Sequence, residues 1–529
     1  MYLAGCCHAT QEEGLIYQPM MKSVMRILNC SLLTSSGRLL TQTTAQSSPA
    51  KPASEGTSYA IIDAYIENQM RHLHIPGLSL AIVDGDRVVH LRGFGTVHPN
   101  GVAPVPQTPF FIGSLTKSFT ALAVIQLVEA GKVELNAPVQ RYLPWFKVAD
   151  PVASGQITVR HLLNQTSGLP GMRGMADLGN MDGSPGATER QIRALSTVKL
   201  IHLAGSKFEY SNTNYNILGL IIESASGEPY ADYVQKHIFN PLDMSHSYSS
   251  KVEARQNGLA VGHRYWFGFP YPAPNLLVPL GSLPSGQLIS SAEDMAHYLI
   301  ANLNGGSYRG APILSADGIA KLHRGVAEIR EMGFSLGHYG MGWISQERGE
   351  STIISHSGIV PDFGAFMALV PELKKGFVIL YNVNHAMLKL TFDELGMGVA
   401  QLLAGEYPKT TILSAMPWVT RSMLFIPFLQ LASILTALRL FGRERRQRIT
   451  FQKKRDRMRR PRILFPFLIN LVATFTLIPR FGKMRGFYKL FMPDFAWIAL
   501  ACGFLAGIWT FLHTILVLQD RRNTTSRVL

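Results

Sequence analysis

The stretch Phe110-Phe-Ile-Gly-Ser-Leu-Thr-Lys117 opens a long apolar pattern of helical period that continues to Ala130 and stops at Gly131. Because this pattern is apolar nearly all round, it predicts a buried helix. Ser114 and Lys117 share one face of its first turn, so the amine can reach the hydroxyl, and the helix N-terminus offers backbone N–H groups to an oxyanion. A serine becomes a nucleophile when a lysine of lowered pKa takes its proton. The alternative is a helix-capping Ser114 beside a solvated Lys117.

Two further motifs follow in order along the chain, Tyr210-Ser211-Asn212 and His356-Ser357-Gly358. Ser-x-x-Lys alone is weak evidence, since it recurs at Ser48–Lys51 and Ser196–Lys199. Tyr-x-Asn and His/Lys-Ser/Thr-Gly each occur once in the 529 residues. The ordered trio therefore predicts an acyl-transfer site, although each motif has a structural alternative.

The second motif supplies a proton donor and an amide. Tyr210 near a buried lysine can share its proton and act as acid to a leaving group, and Asn212 can hold the lysine and a substrate carbonyl. The alternative for this pair is a loop with a helix N-cap.

The third motif ends a predicted strand. Its edge can bind an extended substrate, with Gly358 allowing close backbone approach and the Ile359 amide serving as a second oxyanion donor. The alternative is that His356 is a satisfied structural residue.

Strand patterns near both ends of the central region predict an α/β (α+β) fold. Leu78–Val83 and Arg87–Leu91 flank a turn at residues 84–86, and the later candidates pair as hairpins. Those later strands are Gly340–Ser345, Ser351–His356, Phe363–Val370 and Phe377–Val383. We expect an antiparallel sheet of about five or more strands flanked by helices, with a mostly helical subdomain inserted over roughly 114–335. Two loops, Gly171–Arg190 and Arg264–Gly286, are expected either to rim the cleft or simply to connect elements.

The positive charge belongs to the C-terminal part of the chain. Twenty of the 50 Lys and Arg residues, but four of the 35 Asp and Glu residues, lie from Trp418 onward. The remaining chain is close to neutral, which argues against nucleic-acid binding by the folded domain. Three uncharged stretches in the basic part predict transmembrane helices at about 418–440, 463–479 and 495–519. For the first two, which are short, a re-entrant or interfacial hairpin is the alternative.

Residues 441–462 between the first two stretches are strongly basic, which places this loop in the cytoplasm. The sequence thus predicts a multi-pass protein of the cell membrane with its catalytic domain outside the cytoplasm and membrane lipid as a partner. Three regions are expected: a signal-like or disordered segment at 1–57, a hydrolase domain at 58–410 and a membrane region at 411–529. A transit peptide is the alternative for the N-terminal segment.

The four cysteines lie at Cys6, Cys7, Cys30 and Cys502, so the catalytic region has no disulfide, thiol nucleophile or cysteine-ligated metal. No metal or organic cofactor is implied.

The trio resembles that of the β-lactamase-related serine hydrolases: class C β-lactamases, D-alanyl-D-alanine carboxypeptidases and esterases of the penicillin-binding protein fold. Thr158–Pro170 and Leu283–Met295 resemble further signature stretches, and the similarity covers about residues 59 to 405. It implies an acyl-enzyme on Ser114, proton transfer by Lys117 and Tyr210, and substrate positioning by Asn212. It also implies a substrate-binding strand over His356, Ser357, Gly358 and Ile359.

His356 replaces the lysine of dedicated class C β-lactamases and is a weaker, titrating anchor for a substrate carboxylate. The resemblance therefore favours a D-amino-acid peptidase or carboxypeptidase, or an esterase, that acts on a peptide, ester or other small molecule. The alternatives are a β-lactamase, or a penicillin-binding sensor with slow deacylation. The sequence leaves the oligomeric state open.

Overall fold

The computed structural model describes residues 55–171, 182–274, 280–331, 334–349, 351–408, 415–447 and 485–525. The predicted segment 1–57 and the predicted second span at 463–479 lie almost wholly or wholly outside these ranges.

The strands begin with a hairpin near the N-terminus and resume late in the chain. Their bounds are β1 Gly77–Asp84, β2 Arg87–Gly95, β3 Phe110–Phe111, β4 His263–Trp266, β5 Phe269–Pro272, β6 Ile289–Ser290, β7 Ser307–Tyr308, β8 Ala311–Pro312, β9 Ala327–Glu331, β10 Phe334–Tyr339, β11 Ile344–Arg348, β12 Ser351–Val360, β13 Phe363–Val370, β14 Lys375–Tyr381 and β15 Val383–Asn384.

The α-helices lie mainly between β2 and β9 and at the C-terminal end. Their bounds are α1 Glu55–Leu73, α2 Thr116–Glu129, α3 Pro151–Gln156, α4 Val159–Leu163, α5 Ala187–Arg193, α6 Asn212–Ser226, α7 Tyr230–Val234, α8 Lys251–Gln256, α9 Leu283–Gly286, α10 Ala292–Leu303, α11 Ala316–His323, α12 Lys389–Leu403, α13 Met416–Ser422, α14 Phe425–Gln447, α15 Arg485–Phe491 and α16 Pro493–Thr525.

The central sheet has the order β2-β1-β14-β13-β12-β11-β10-β9, with antiparallel neighbours throughout. Its two ends come from opposite ends of the domain, and a helical block separates them in sequence. This confirms the predicted fold class, and the sheet is larger than predicted because β9 and β10 extend it.

Alternation along the buried strands supplies a core on each face of the sheet, as the two-residue period of a strand requires. Val378 and Leu380 face the helical block, whereas Phe377 and Ile379 face α1 and α12. The site lies on the helical-block side, where α2 packs.

The predicted strand Gly340–Ser345 was wrong in its first half, since β11 begins only at Ile344. Gly342 has φ +83°, and a Cβ there would lie 2.7 Å from the Cα of Ser118. The chain therefore turns tightly over α2 before the strand begins. Residues 346–348, which lie beyond the predicted strand, continue β11.

Two helical segments within the described ranges are long and apolar enough to cross a membrane, Met416–Thr436 and Pro493–Leu512. They overlap the predicted spans at 418–440 and 495–519. By length and composition alone they are weak evidence, so the number of spans and their orientation stay predictions.

Candidate active site

Ser114 lies in a 3₁₀ turn, Gly113–Leu115, that leads directly into α2. The end of β12 contacts this turn backbone to backbone. A Cβ on Gly113 would lie 2.5 Å from the Ile359 nitrogen, and one on Gly358 would lie 2.0 Å from the Ile112 oxygen and 3.2 Å from the Ser114 nitrogen. Only glycine permits this approach, which brings the amides of Ser114 and Ile359 close together.

Lys117 is completely buried beneath Ser114. Its Nζ lies 3.0 Å from Ser114 Oγ, 2.8 Å from Asn212 Oδ1 and 2.6 Å from the Ser285 carbonyl oxygen. Within the described residues no carboxylate forms an ion pair with it. Burial lowers the pKa of Lys117 well below its ordinary value.

The three neighbours of Lys117 suit a neutral amine. An –NH₂ group donates two hydrogens, which the Asn212 and Ser285 oxygens can accept, and its lone pair is then left for the proton of Ser114. The arrangement can therefore deprotonate the serine without first losing a proton to solvent.

Tyr210 donates a hydrogen bond from its hydroxyl to Ser114 Oγ at 2.8 Å. Burial, and secondarily the neighbouring Tyr339, raises the pKa of Tyr210 well above its ordinary value, so it is a phenol rather than a phenolate. The Lys117 Nζ lies 4.9 Å from the centroid of its ring. The buried amine of Lys117 and the hydroxyl of Tyr210 thus both lie within hydrogen-bond distance of Ser114 Oγ.

Asn212 is the first residue of α6, which begins earlier than its apolar pattern predicts. The loop before this helix is fixed by Gln165, whose Oε1 accepts hydrogen bonds from the Ser211 N–H at 3.0 Å and from Asn214 Nδ2 at 2.5 Å. Gln165 has a left-handed backbone, φ +58°. Sequence reasoning quoted its stretch but missed this role, because the contact joins segments more than 40 residues apart.

His356 differs from its interpretation as a titrating anchor. Its side chain is 3% exposed, and burial, followed by the charge of Lys117, lowers the pKa of His356 to about 3. Its Nδ1 lies 2.7 Å from the Ser357 oxygen, and the ring meets Tyr339 edge-on at 5.9 Å between centroids. His356 is therefore neutral at physiological pH and supports the wall of the site, where Tyr339 also meets Tyr210.

Lys389 supplies a cation that sequence reasoning missed. It begins α12, its Nζ lies 3.4 Å from Ser357 Oγ, and it pairs with Asp393 at 2.5 Å one helical turn away. Its side chain is 38% exposed, so it keeps contact with solvent. No local motif marks this lysine, because its proximity to Ser357 is purely tertiary.

One group of potential metal ligands occurs among the residues that the structure describes: His246, Glu293 and Asp294. Asp294 already accepts hydrogen bonds from the His246 N–H and Ser247 Oγ, both at 2.7 Å. These two hydrogen bonds give the buried Asp294 carboxylate a structural role.

The two loops expected at the cleft rim are only partly described, with gaps at 172–181 and 275–279. In the second loop, residues 264–272 belong to the β4–β5 hairpin and residues 283–286 form α9. The turn of the hairpin contacts Asp494 of α16 and Arg421 of α13. The hairpin therefore joins the hydrolase domain to the C-terminal helices, which the sequence did not predict.

Comparison with known proteins identifies several relatives of this chain. Staphylococcus aureus (strain MW2) protein flp is 30% identical over 342 residues, 63% of this chain and 65% of that protein. The unguisins hydrolase ungD' of Aspergillus campestris is 29% identical over 332 residues, 60% of each chain. This chain thus spans slightly less than two thirds of the length of these curated relatives.

A solved structure, the octameric penicillin-binding protein homologue from Pyrococcus abyssi, matches with a TM-score of 0.58 at 30% identity. The match covers 66% of this chain and 78% of that one. The profile of the Beta-lactamase family matches residues 62–395, well over half of the sequence. The chain belongs to the Beta-lactamase family, within the serine hydrolase superfamily of that fold.

Proposed function

We propose that this protein is a serine hydrolase that works through an acyl-enzyme on Ser114, as a D-amino-acid peptidase of carboxypeptidase type or as an esterase. The observation that carries the proposal is the buried Lys117 amine, 3.0 Å from Ser114 Oγ and free of any described carboxylate partner in ion-pair range. Such a lysine has little purpose as a structural residue, since its burial costs free energy that a methionine would avoid.

Acylation then proceeds with balanced proton transfers. Ser114 Oγ attacks the substrate carbonyl carbon while its proton passes to Lys117 Nζ. The oxyanion receives hydrogen bonds from the amides of Ser114 and Ile359, which the glycine contact brings together. Asn212 holds Lys117 and is available to the substrate carbonyl.

Tyr210 completes the cycle. Its hydroxyl protonates the leaving nitrogen or oxygen as the carbonyl–leaving-group bond breaks, and Lys117 returns a proton to Tyr210. A water molecule then attacks the acyl-enzyme by the same route in reverse, giving the acid and regenerating Ser114.

The cation at the end of β12 supports substrates with a negative group. Lys389, rather than His356, is charged near Ser357. A terminal carboxylate, as in a D-amino-acid peptide, can be bound together by the Lys389 amine and the Ser357 hydroxyl, whose Nζ and Oγ lie 3.4 Å apart. A neutral ester needs neither contact.

We also propose that the catalytic domain lies outside the cytoplasm on a three-span membrane region. The two described span candidates pack in parallel: Gln430 Nε2 donates to the Cys502 oxygen at 3.0 Å, and Ile434 packs with Trp509 further along both helices. Their N-terminal ends both contact the hydrolase domain. Parallel neighbours require the chain to cross back between them, which supports the uncharged stretch 463–479 as a return span.

Intact mass of the full-length protein after exposure to a fluorescent penicillin and, separately, to a fluorophosphonate tests the active site. An adduct absent from Ser114→Ala is expected with at least one reagent. A lasting penicillin adduct favours a peptidase or a sensor. A penicillin adduct that is rapidly lost favours a β-lactamase, and labelling by the fluorophosphonate alone favours an esterase. No serine-dependent adduct on folded protein would refute the acyl-enzyme.

The topology has a separate test. Single cysteines are placed at residue 408 or at residue 455 in a background where Cys6, Cys7, Cys30 and Cys502 are all replaced by serine, and they are labelled with a membrane-impermeant maleimide on intact cells. We expect labelling at 408 and protection at 455 until the cells are lysed. Equal labelling of both would contradict the orientation.

A further inference from the structure

The turn between β4 and β5, residues 266–269, forms an exposed aromatic tip, called here the hairpin tip. Trp266 is 40% and Phe269 is 60% exposed. Phe267 and Gly268 both have left-handed backbones, φ +52° and +79°. A bulky residue rarely adopts this conformation, so tertiary contacts must hold it. The Phe267 N–H donates to Asp494 Oδ2 at 3.0 Å, which provides such a contact.

The hairpin tip lies between the starts of the two span candidates. On one side the Arg421 guanidinium stacks 5.4 Å from the Phe269 ring centroid and 5.1 Å from that of Trp418. On the other side Asp494 starts α16, and Trp497 follows on the next turn with 61% exposure. Exposed tryptophan and phenylalanine beside the ends of apolar helices are typical of a membrane–water interface.

The catalytic strand is fixed to the same place. Ile359 packs against a hydrophobic cluster that includes Ala386 and Phe491. Phe491 ends α15, the helix that leads into α16. Three residues beyond Ile359, the buried Asp362 carboxylate pairs with Arg264 of β4 at 2.5 Å. The oxyanion end of β12, the hairpin and the start of α16 therefore form one packed unit.

A buried hydrogen bond strengthens this connection. His385 Nε2 lies 2.8 Å from Asp494 Oδ1, and both side chains are almost fully buried. His385 lies four residues before Lys389, whose amine reaches Ser357. The Ser357–Ile359 end of the cleft is therefore joined to the first turn of the second span candidate by a short series of direct contacts.

We propose that this end of the cleft works at the outer surface of the bilayer, where it takes esters or amides that carry a hydrocarbon chain directly from the membrane. The inference rests on the proposed function and names its substrate class. The hairpin tip enters the headgroup region of the bilayer, and the chain of the substrate stays among the lipids while its carbonyl reaches Ser114. Ser114 Oγ takes the acyl chain as the leaving group departs with a proton, and water then hydrolyses the acyl-enzyme, giving OH to the acyl carbon and a proton back to Ser114 Oγ.

The test uses full-length protein in phosphatidylcholine vesicles and in detergent micelles, with nitrophenyl palmitate as the membrane-borne ester and nitrophenyl acetate as the soluble one. For the wild type, we expect the palmitate-to-acetate ratio of kcat/KM to be about tenfold higher in vesicles than in detergent micelles. The double variant Trp266→Ser/Phe269→Ser should lose about tenfold on palmitate in vesicles and stay within twofold on acetate. Val152→Ser, at a 68% exposed site on α3, is the matched control and should change neither.

A ratio that is the same in vesicles and micelles, or an equal loss on both esters by the folded double variant, would overturn the inference. Acetate turnover that depends on Ser114 but shows such a flat ratio would leave the proposed function intact. Absence of Ser114-dependent turnover of either ester would also overturn the inference, and the penicillin and fluorophosphonate adducts on Ser114 would then decide the proposed function separately. If the double variant fails to fold, the comparison of the wild-type palmitate-to-acetate ratio between vesicles and micelles tests the inference by itself. If the hairpin tip instead binds a second protein, the palmitate-to-acetate ratio should be the same in vesicles and in micelles.

Discussion

The Nζ of Lys117 lies 3.0 Å from the Oγ of Ser114, and the lysine side chain has no exposure to solvent. The pair sits where the 3₁₀ turn enters α2, beneath the end of β12. Proton affinity at this place is set by burial, because the surroundings offer oxygens of an amide and a peptide rather than a carboxylate. The consequences of that setting can be measured.

Replacing Lys117 with arginine should abolish most activity. Arginine stays protonated at all accessible pH values, so Ser114 would lose its base, and kcat should fall about a thousandfold. In the wild type, burial lowers the pKa of Lys117 and so favours its neutral amine, and activity should fall as the pH drops through that lowered value. A pH–rate profile measures this limb. Lys147→Arg, at an exposed site, is the control; a Lys117→Arg enzyme with a tenth of wild-type activity would contradict the assignment.

His356 should make the fold sensitive to acid. Its folded pKa is about 3, against 6.5 for the unfolded chain, so the unfolded state binds a proton first as the pH falls below 6.5. Between pH 6.5 and 5 this single group should cost about 2 kcal/mol of unfolding free energy, at 1.36 kcal/mol per pH unit. Denaturant unfolding of His356→Gln should show that much less loss over this interval.

The exposed His72 offers the comparison for this measurement, since His72→Gln should leave the acid dependence unchanged. If the unfolding free energy falls equally with pH in wild type and in His356→Gln, the pKa of His356 is not lowered in the folded state.

Gly358→Ala should separate β12 from the serine turn. The added methyl would lie 2.0 Å from the Ile112 oxygen, so the strand must move and the Ile359 amide must leave its place near Ser114. Loss of one oxyanion donor lowers kcat by roughly 10²- to 10³-fold. Gly155→Ala, on α3 with no neighbour closer than 3.6 Å, should be silent. Steady-state kinetics with circular dichroism to verify folding checks both, and an active Gly358→Ala enzyme would remove the role given to Ile359.

Lys389→Met should separate charged from neutral substrates. Without the cation near Ser357, KM for a carboxylate-bearing peptide should rise about tenfold with little change in kcat, whereas a neutral ester should be unaffected. Lys321→Met removes a similar helical ion pair, Lys321–Asp317, from the surface and serves as the control. Steady-state kinetics of each variant on both substrates measure this difference. An equal loss of activity on the two substrates would show that Lys389 stabilises the fold rather than binds the substrate carboxylate.

Much of the fold was predictable from short-range pattern. The continuous apolar run Phe363–Val370 and the apolar run after Ser114 produced a strand and a helix at nearly the predicted bounds. Gly340–Trp343 was misassigned because its conformation depends on contact with α2, which no local pattern records. The order of the three motifs identified the residues that now surround Ser114, and their catalytic roles remain to be tested.

The residue types of the site, the helical block within a sheet, and the separation of a neutral domain from a basic, apolar C-terminal part were all predictable from the order of the amino acids. These follow from periodicity and composition, which are local properties of the chain. By contrast, the neutrality of His356, the contact of Lys389 with Ser357 and the contact of the hairpin tip with Asp494 arise only when the chain is folded. Burial and proximity arise from segments that are distant in sequence, and it is burial that sets a pKa and proximity that forms a site.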